Sequence, residues 1–353
     1  MRPSAVAACG LAALAVAMGI GRFAFTPVLP MMLAAGEVSL AEGGWLAAAN
    51  YAGYLAGALT AARLPGRLAI RTGLAGIALG TLAMALELGF AAWLVLRALA
   101  GVASAWVLIH VSAWCLERLP PRLHGVVFSG VGTGIALAGL VCLPLSDPDV
   151  AWMVLGVLAL PIALVPFMAA PSGRTPHDGG GATSLLLVLC YGAFGFGYII
   201  PATFIPAMAR EMLGGSPLFG WAWPLLGAAA AVSTLIAPRI ETRRLWSNAH
   251  LVMALGVAAP FVLPPAAGVL LGALLVGGTF MVITMAGLKE GRRAGGPKLM
   301  AQMTAAFAAG QIAGPALVAV LPSLLSVSLA ACALLAASGL ALRLSHDRAP
   351  AAP

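Results

Sequence analysis

Long apolar runs separated by short hydrophilic gaps occupy almost the whole chain. Runs fall near residues 5–34, 44–62, 73–90, 92–116, 125–145 and 151–170, and a second set near 184–209, 217–237, 247–264, 267–288, 299–321 and 323–342. About 20 apolar residues at 1.5 Å each cross the hydrocarbon core of a bilayer, so the pattern predicts twelve transmembrane helices. Between the sets lies PSGRTPHDGGGAT, Pro171 to Thr183, whose Pro, Gly and Ser content reads as a flexible linker. The expected organisation is a bundle over 1–170, a linker over 171–183 and a second bundle over 184–353.

The two sets repeat one plan. GIGRFAFTPVLPMM, Gly19 to Met32, returns 176 residues later as GFGYIIPATFIPAM, Gly195 to Met208, keeping two glycines, a proline and a methionine in register. The same offset pairs Gly44-Trp45 with Gly220-Trp221, Arg63 with Arg239, Arg67 with Arg243 and Gly101 with Gly277. Copies in equal orientation need an even number of helices each, which six satisfies. Two parallel six-helix copies place a binding site between them, near the midplane.

Composition narrows the class. Hydrophobic residues make up 61% of the chain and charged ones 8%, with mean hydropathy +1.02, which excludes a soluble globular domain. The net charge of +8 does not form a patch, so nucleic acid is not an expected partner. Instead, 16 of the 19 Lys and Arg gather in gaps on the side of the N-terminus, leaving Arg210 opposite and Arg22 and Arg97 within spans. The positive-inside rule then puts both termini in the cytoplasm. Val6-Ala7-Ala8-Cys9 looks superficially like a lipoprotein box, but Cys9 precedes any stretch long enough for a signal h-region. The five cysteines show no CxxC and no His at ligand spacing, so they read as packing residues, with no metal or cofactor expected. A GxxxxGK[ST] loop does not occur, so the chain itself does not hydrolyse ATP.

Several blocks resemble the YbfB/YjiJ family of bacterial major facilitators: Gly19 to Met32, NYAGYLAG (Asn50–Gly57), Tyr191 to Glu211, GGTFMVITMAGL (Gly277–Leu288) and AFAAGQIAGP (Ala306–Pro315). The resemblance implies an all-α integral membrane protein of the major facilitator fold, with twelve helices in two pseudo-symmetric halves. It further implies a bacterial inner-membrane secondary transporter, not an enzyme, expected to work as a monomer. Arg97-Ala-Leu-Ala-Gly101 resembles the RxxxG element of the fourth helix, where the family's arginine faces the first helix and is implicated in proton coupling. ARLPGRLAIRTG after the second helix lacks the family's aspartate, and Gly310-Gln-Ile-Ala-Gly314-Pro315 matches an antiporter pattern in the wrong helix.

Candidate site residues follow from polarity inside the spans. Arg22 shares its helix with Pro27 and Pro30 and is costly in lipid; it either ties freed carbonyls or receives an anionic substrate. Tyr198 occupies the equivalent repeat position, with Phe25, Thr26 and Thr203 within helical reach of that level. Asn50, Tyr51, Tyr54, Thr279 and Gln311 lie at mid-span in helices expected to line the cavity. For proton coupling, Glu87 and Arg97 flank the turn between the third and fourth spans and are placed to pair about 7 Å deep. His110 is a weaker candidate, rotated away from Arg97 and beside Trp106 and Trp114. The glycine pairs Gly53/Gly57, Gly130/Gly134 and Gly310/Gly314 are spaced for close helix approach. The expected function is alternating-access transport of a small, anionic organic solute with protons. The rivals are efflux of neutral or cationic amphiphiles or sugars and, remotely, a polytopic sensor or enzyme.

Overall fold

A computed structural model describes residues 2–163, 183–214, 216–240, 244–321 and 323–348. Helices dominate these residues. The first apolar run is a broken rod: α1 (Pro3–Leu14), a π-helical turn (Ala15–Ile20), turns over 21–24, and α2 (Phe25–Ala35), closed by Gly36 at φ 75°. Next comes α3 (Leu40–Thr60), opened by a capping box in which Ser39 and Glu42 satisfy each other's backbone N–H. The remaining elements are α4 (Gly66–Ala83), α5 (Phe90–Arg118), α6 (His124–Cys142), α7 (Pro148–Ala163), α8 (Leu185–Leu213), α9 (Ala222–Ile236), α10 (Leu245–Val262), α11 (Pro265–Val320) and α12 (Leu324–Arg348).

Among the described residues, nine segments are long and apolar enough to cross a membrane, and Pro148–Ile162 is a shorter apolar helix. The expected second and third spans fall on α3 and α4, which are diluted by Asn50, Tyr51, Tyr54 and glycines in the one and by Arg67 and Arg71 in the other. The third expectation was displaced by about two turns: α4 covers 66–83, not 73–90, because the apolar residues Leu86 and Leu88 belong to the following loop. The tenth and eleventh expected spans are the two helical parts of α11, Pro265–Gly296 and Lys298–Val320, which meet at Gly296, whose positive φ of 62° interrupts the helix. The linker and the boundary at 170/171 lie outside the described residues, save Thr183. Outward-facing positions such as Leu59, Leu185 and Val262 present large apolar side chains, as a lipid-facing surface requires.

Small residues set the helix contacts. The Gly53/Gly57 pair lies on Ala98 and Val102 of α5, and Gly130/Gly134 on Leu11 and Ala15 of the first rod. Gly310 sits against the backbone of Gly192 and Phe196 of α8, whereas Gly314 meets the side chains of Ile199 and Ile200, so close backbone approach holds for the first two pairs and for Gly310. Contacts also repeat at the 176 offset: Gly101 abuts the Asn50 backbone, and Gly277 abuts the backbone of Leu226, the residue equivalent to Asn50. Between the two sets of helices, α6 packs along α9, α3 along the second part of α11, and α2 along α8.

Candidate functional site

The site grows from the break in the first rod. In a regular helix the Thr26 N–H would reach the Arg22 carbonyl; here it bonds Phe23 O instead, at 3.1 Å. The carbonyls of Gly21 and Arg22 are thereby freed inside the bundle, where an unpaired acceptor costs several kcal/mol. Two side chains answer them. Arg97 of α5 donates Nη2 to Arg22 O at 3.0 Å and Nη1 to Gly21 O at 3.5 Å, and Asn50 of α3 donates Nδ2 to Gly21 O at 3.2 Å and to Arg97 O at 2.9 Å. The Arg97 guanidinium also covers the Phe25 ring, 4.9 Å from its centroid.

Arg97 thus performs the structural tie, and Arg22 is left over. Arg22 is 3% exposed, and its Nε and Nη2 are buried without a hydrogen-bond partner. Aromatic faces surround it: its Cζ stands 4.0 Å from the Tyr54 centroid, 5.0 Å from Tyr51 and 5.4 Å from Phe23. Among the described residues no carboxylate pairs with either guanidinium; the ion pair found is Arg118 with Glu117, in the last turn of α5. Cation–π contact offsets part of the burial of a charge and leaves N–H vectors open.

Across from Arg22 lies an aromatic stack. Tyr198 of α8 is held between Phe280 and Phe307 of α11, at 4.7 and 5.7 Å, and its hydroxyl accepts from Gln311 Nε2. Tyr51 and Thr203 hydroxyls meet at 3.2 Å, and Thr26 donates to Ala202 O at 2.8 Å, so two bonds join the first rod and α3 to α8. Thr26 and Ala202 are themselves repeat equivalents. A cavity of about 10 Å³, room for roughly one water, lies among Phe23, Tyr198, Trp223 and Phe280. Toward the ends of α2 and α8 a second cavity of about 40 Å³ is lined by Pro30, Cys142, Arg210 and Trp223. There Arg210 donates to Pro30 O at 2.9 Å, linking α8 to α2. The centre is closed in this conformation.

The family described as uncharacterised MFS-type transporter YbfB matches residues 14–346. That span holds nearly every described helix. The chain belongs to this family. It is a multi-pass membrane transporter, and no curated protein matches it.

Of the residues expected at the transporter's site, Arg22, Tyr54, Thr26, Thr203, Tyr198 and Gln311 lie on the facing elements of one centre, with Tyr198 in the electrostatic field of Arg22. Asn50 and Phe25 are adjacent to it but serve the Arg97 tie. Thr279 is turned back on its own helix, bonding Leu275 O at 2.6 Å. The Glu87–Arg97 pair does not form. Glu87 is exposed in the loop after α4, among Glu37, Asp147 and Asp149, whereas Arg97 is seven residues, about 10 Å, inside α5. His110 bonds Ala61 O at 3.0 Å and so fastens the end of α3 to α5, far from the break. Sequence reasoning missed Phe23, Phe280, Phe307 and Trp223 as site members, while Tyr51 was expected, with Asn50 and Tyr54, among the mid-span polar residues of the second span. Tyr51 and Tyr54 at i, i+3 in NYAGYLAG share one helix face.

Proposed function

We propose that this transporter moves a small organic anion by alternating access, with Arg22 receiving the anionic group. The reading is carried by one observation: Arg22 keeps two buried, unpartnered N–H donors while Arg97 and Asn50 satisfy the broken backbone. A buried cation that, among the described residues, has no carboxylate partner and is held only by the Tyr54 hydroxyl and the surrounding rings is a functional-site candidate by default. Tyr51, Tyr54, Tyr198, Thr203 and Gln311 complete the centre, and Thr26 holds it shut. The twelve helices form two six-helix halves that rock about this centre, a view supported by the repeated Gly101 and Gly277 contacts. The concentration of Lys and Arg supports cytoplasmic termini and an inner-membrane location.

Proton coupling belongs to the same proposal on energetic grounds. Moving one negative charge inward against a membrane potential costs about 2.3 kcal/mol per 100 mV, which a co-transported proton offsets. The test is a binding and uptake screen with purified protein and proteoliposomes, using wild type and Arg22→Gln. Carboxylates are expected to stabilise and be accumulated by wild type alone, faster with the outside made acidic. Equal stabilisation of both proteins by neutral or cationic amphiphiles, with none by carboxylates, would replace this reading with the efflux one.

A further inference from the structure

The anion reading uses Arg22 and leaves the walls of the adjoining cavity unexplained. Four of the cavity's eight lining residues are aromatic, Phe23, Tyr198, Trp223 and Phe280, the others being aliphatic, and Phe23 links it to Arg22, whose Cζ is 5.4 Å from that ring. Tyr198 is nearly parallel to Phe280 and Phe307, with interplanar angles of 15° and 5°, so three rings form a flat stack. Phe23 stands edge-on to Phe280 at 6.5 Å and 81°, and Trp223 is 6.2 Å from Phe23. The Trp223 side chain lines the same cavity, and its indole N–H is buried and unpartnered, as are those of Trp152 and Trp246.

We propose that the substrate is an arene carboxylate, its carboxylate on Arg22 and its ring against Phe23 and the Phe280 end of the stack; this rests on the anion reading of Arg22. A flat ring extends a stack of parallel rings, and offset or edge-on ring pairs are favourable beyond the area they bury. A carboxylate fills the open donors of Arg22, and an oxygen substituent on the ring accepts from Trp223. An aliphatic anion satisfies Arg22 but forgoes the ring pairing with Phe23 and Phe280. The cavity in this closed conformation is about 10 Å³, so the ring enters when the helices part.

The experiment measures dissociation constants of the full-length protein for benzoate, 4-hydroxybenzoate, hexanoate, cyclohexanecarboxylate and benzamide. Wild type is expected to bind the two arene carboxylates about tenfold more tightly than either aliphatic acid, and benzamide more weakly than all of them. In Phe280→Leu that selectivity falls to about unity, while in Arg22→Gln all four carboxylates lose affinity. If hexanoate or cyclohexanecarboxylate binds as tightly as benzoate, the arene assignment is overturned and the anion reading stands. If no carboxylate binds, or Arg22→Gln changes nothing, the anion reading fails and this one with it. Should Phe280→Leu not fold, the wild-type ratio between benzoate and cyclohexanecarboxylate decides alone.

Discussion

Replacing Arg97 by methionine should harm folding less than replacing it by lysine. Arg97 is 3% exposed and has no carboxylate partner among the described residues, so the fold carries its charge at a cost of about 2.5–3.5 kcal/mol on insertion scales. Against that, its guanidinium donates to the Arg22 carbonyl at 3.0 Å, a charged hydrogen bond contributing about 1.5–3 kcal/mol, and more weakly to Gly21 O. Methionine removes the buried charge and relieves repulsion of Arg22 but leaves Arg22 O unpaired, at about 1–3 kcal/mol, so gain and loss cancel to within about 2 kcal/mol. Lysine keeps the charge but cannot fork to two carbonyls, so it loses about 1.5–3 kcal/mol with nothing returned. Asn50→Leu serves as a neutral comparator: it strips the donor from Gly21 O and Arg97 O at a cost of about 2–4 kcal/mol. Thermal unfolding in detergent at about 2 °C per kcal/mol resolves these differences. The expected order of midpoints is wild type and Arg97→Met within a few degrees of each other, then Arg97→Lys and Asn50→Leu below both. If Arg97→Met falls below Arg97→Lys, the charge is compensated in the folded protein and the tie described above is misread.

Two further outcomes follow from the end of the bundle that carries Arg210. Glu37 is partly buried there and faces Asp149, Asp147 and Glu87, so burial first, and then these acids, raise its pKa above the ordinary glutamate value. The folded state therefore binds its proton more tightly than the unfolded chain, and stability falls as pH rises through the raised value. Glu37→Gln should raise the midpoint at pH 7 by a degree or less, since the site is mostly solvated, and the difference should vanish near pH 4. A larger gain at pH 4 than at pH 7 contradicts the sign. Second, Arg210 latches α8 to Pro30 over the cavity that Cys142 lines, so Arg210→Gln, in a protein keeping Cys142 as its one cysteine, should label several-fold faster with a membrane-impermeant thiol reagent. Unchanged labelling would show that this bond does not hold the cavity closed.

The sequence makes the centre legible and its wiring illegible. A charge and two prolines inside one apolar run mark Gly19 to Met32, and the 176 offset singles out Tyr198 and Gly277 without any coordinates. What answers a helix break is a donor, but what demands it is a carbonyl, and carbonyls have no letter in the sequence. Arg97 and Asn50 therefore read as site polars, when the structure gives them to Gly21 O and Arg22 O. Glu87 misled for a different reason: Leu86 and Leu88 extend an apolar run past the true end of α4, so a loop acid looked intramembrane. Phe280, Phe307 and Trp223 carry no polarity signal that separates a binding wall from ordinary core.

The repeat explains why the first copy breaks and the second does not. Both copies carry prolines: Pro27 and Pro30 in the first, Pro201 and Pro206 in the second, yet α8 runs unbroken from Leu185 to Leu213. The difference lies in the neighbours. Asn50 and Arg97 supply the donors that a broken backbone needs, and their equivalents 176 residues on are Leu226 and Ala273, which supply none. Without side-chain donors, the second copy keeps its carbonyls in the helical ladder as far as its prolines allow, because lipid and apolar side chains offer no substitute. The break in the first copy, in turn, accompanies the placement of Arg22 opposite Tyr198, a cation facing a phenol where exact symmetry would place like against like. Two donor residues present in one copy and absent from the other thus make the repeated sequence asymmetric at its centre, where Arg22 and Arg97 both carry charge.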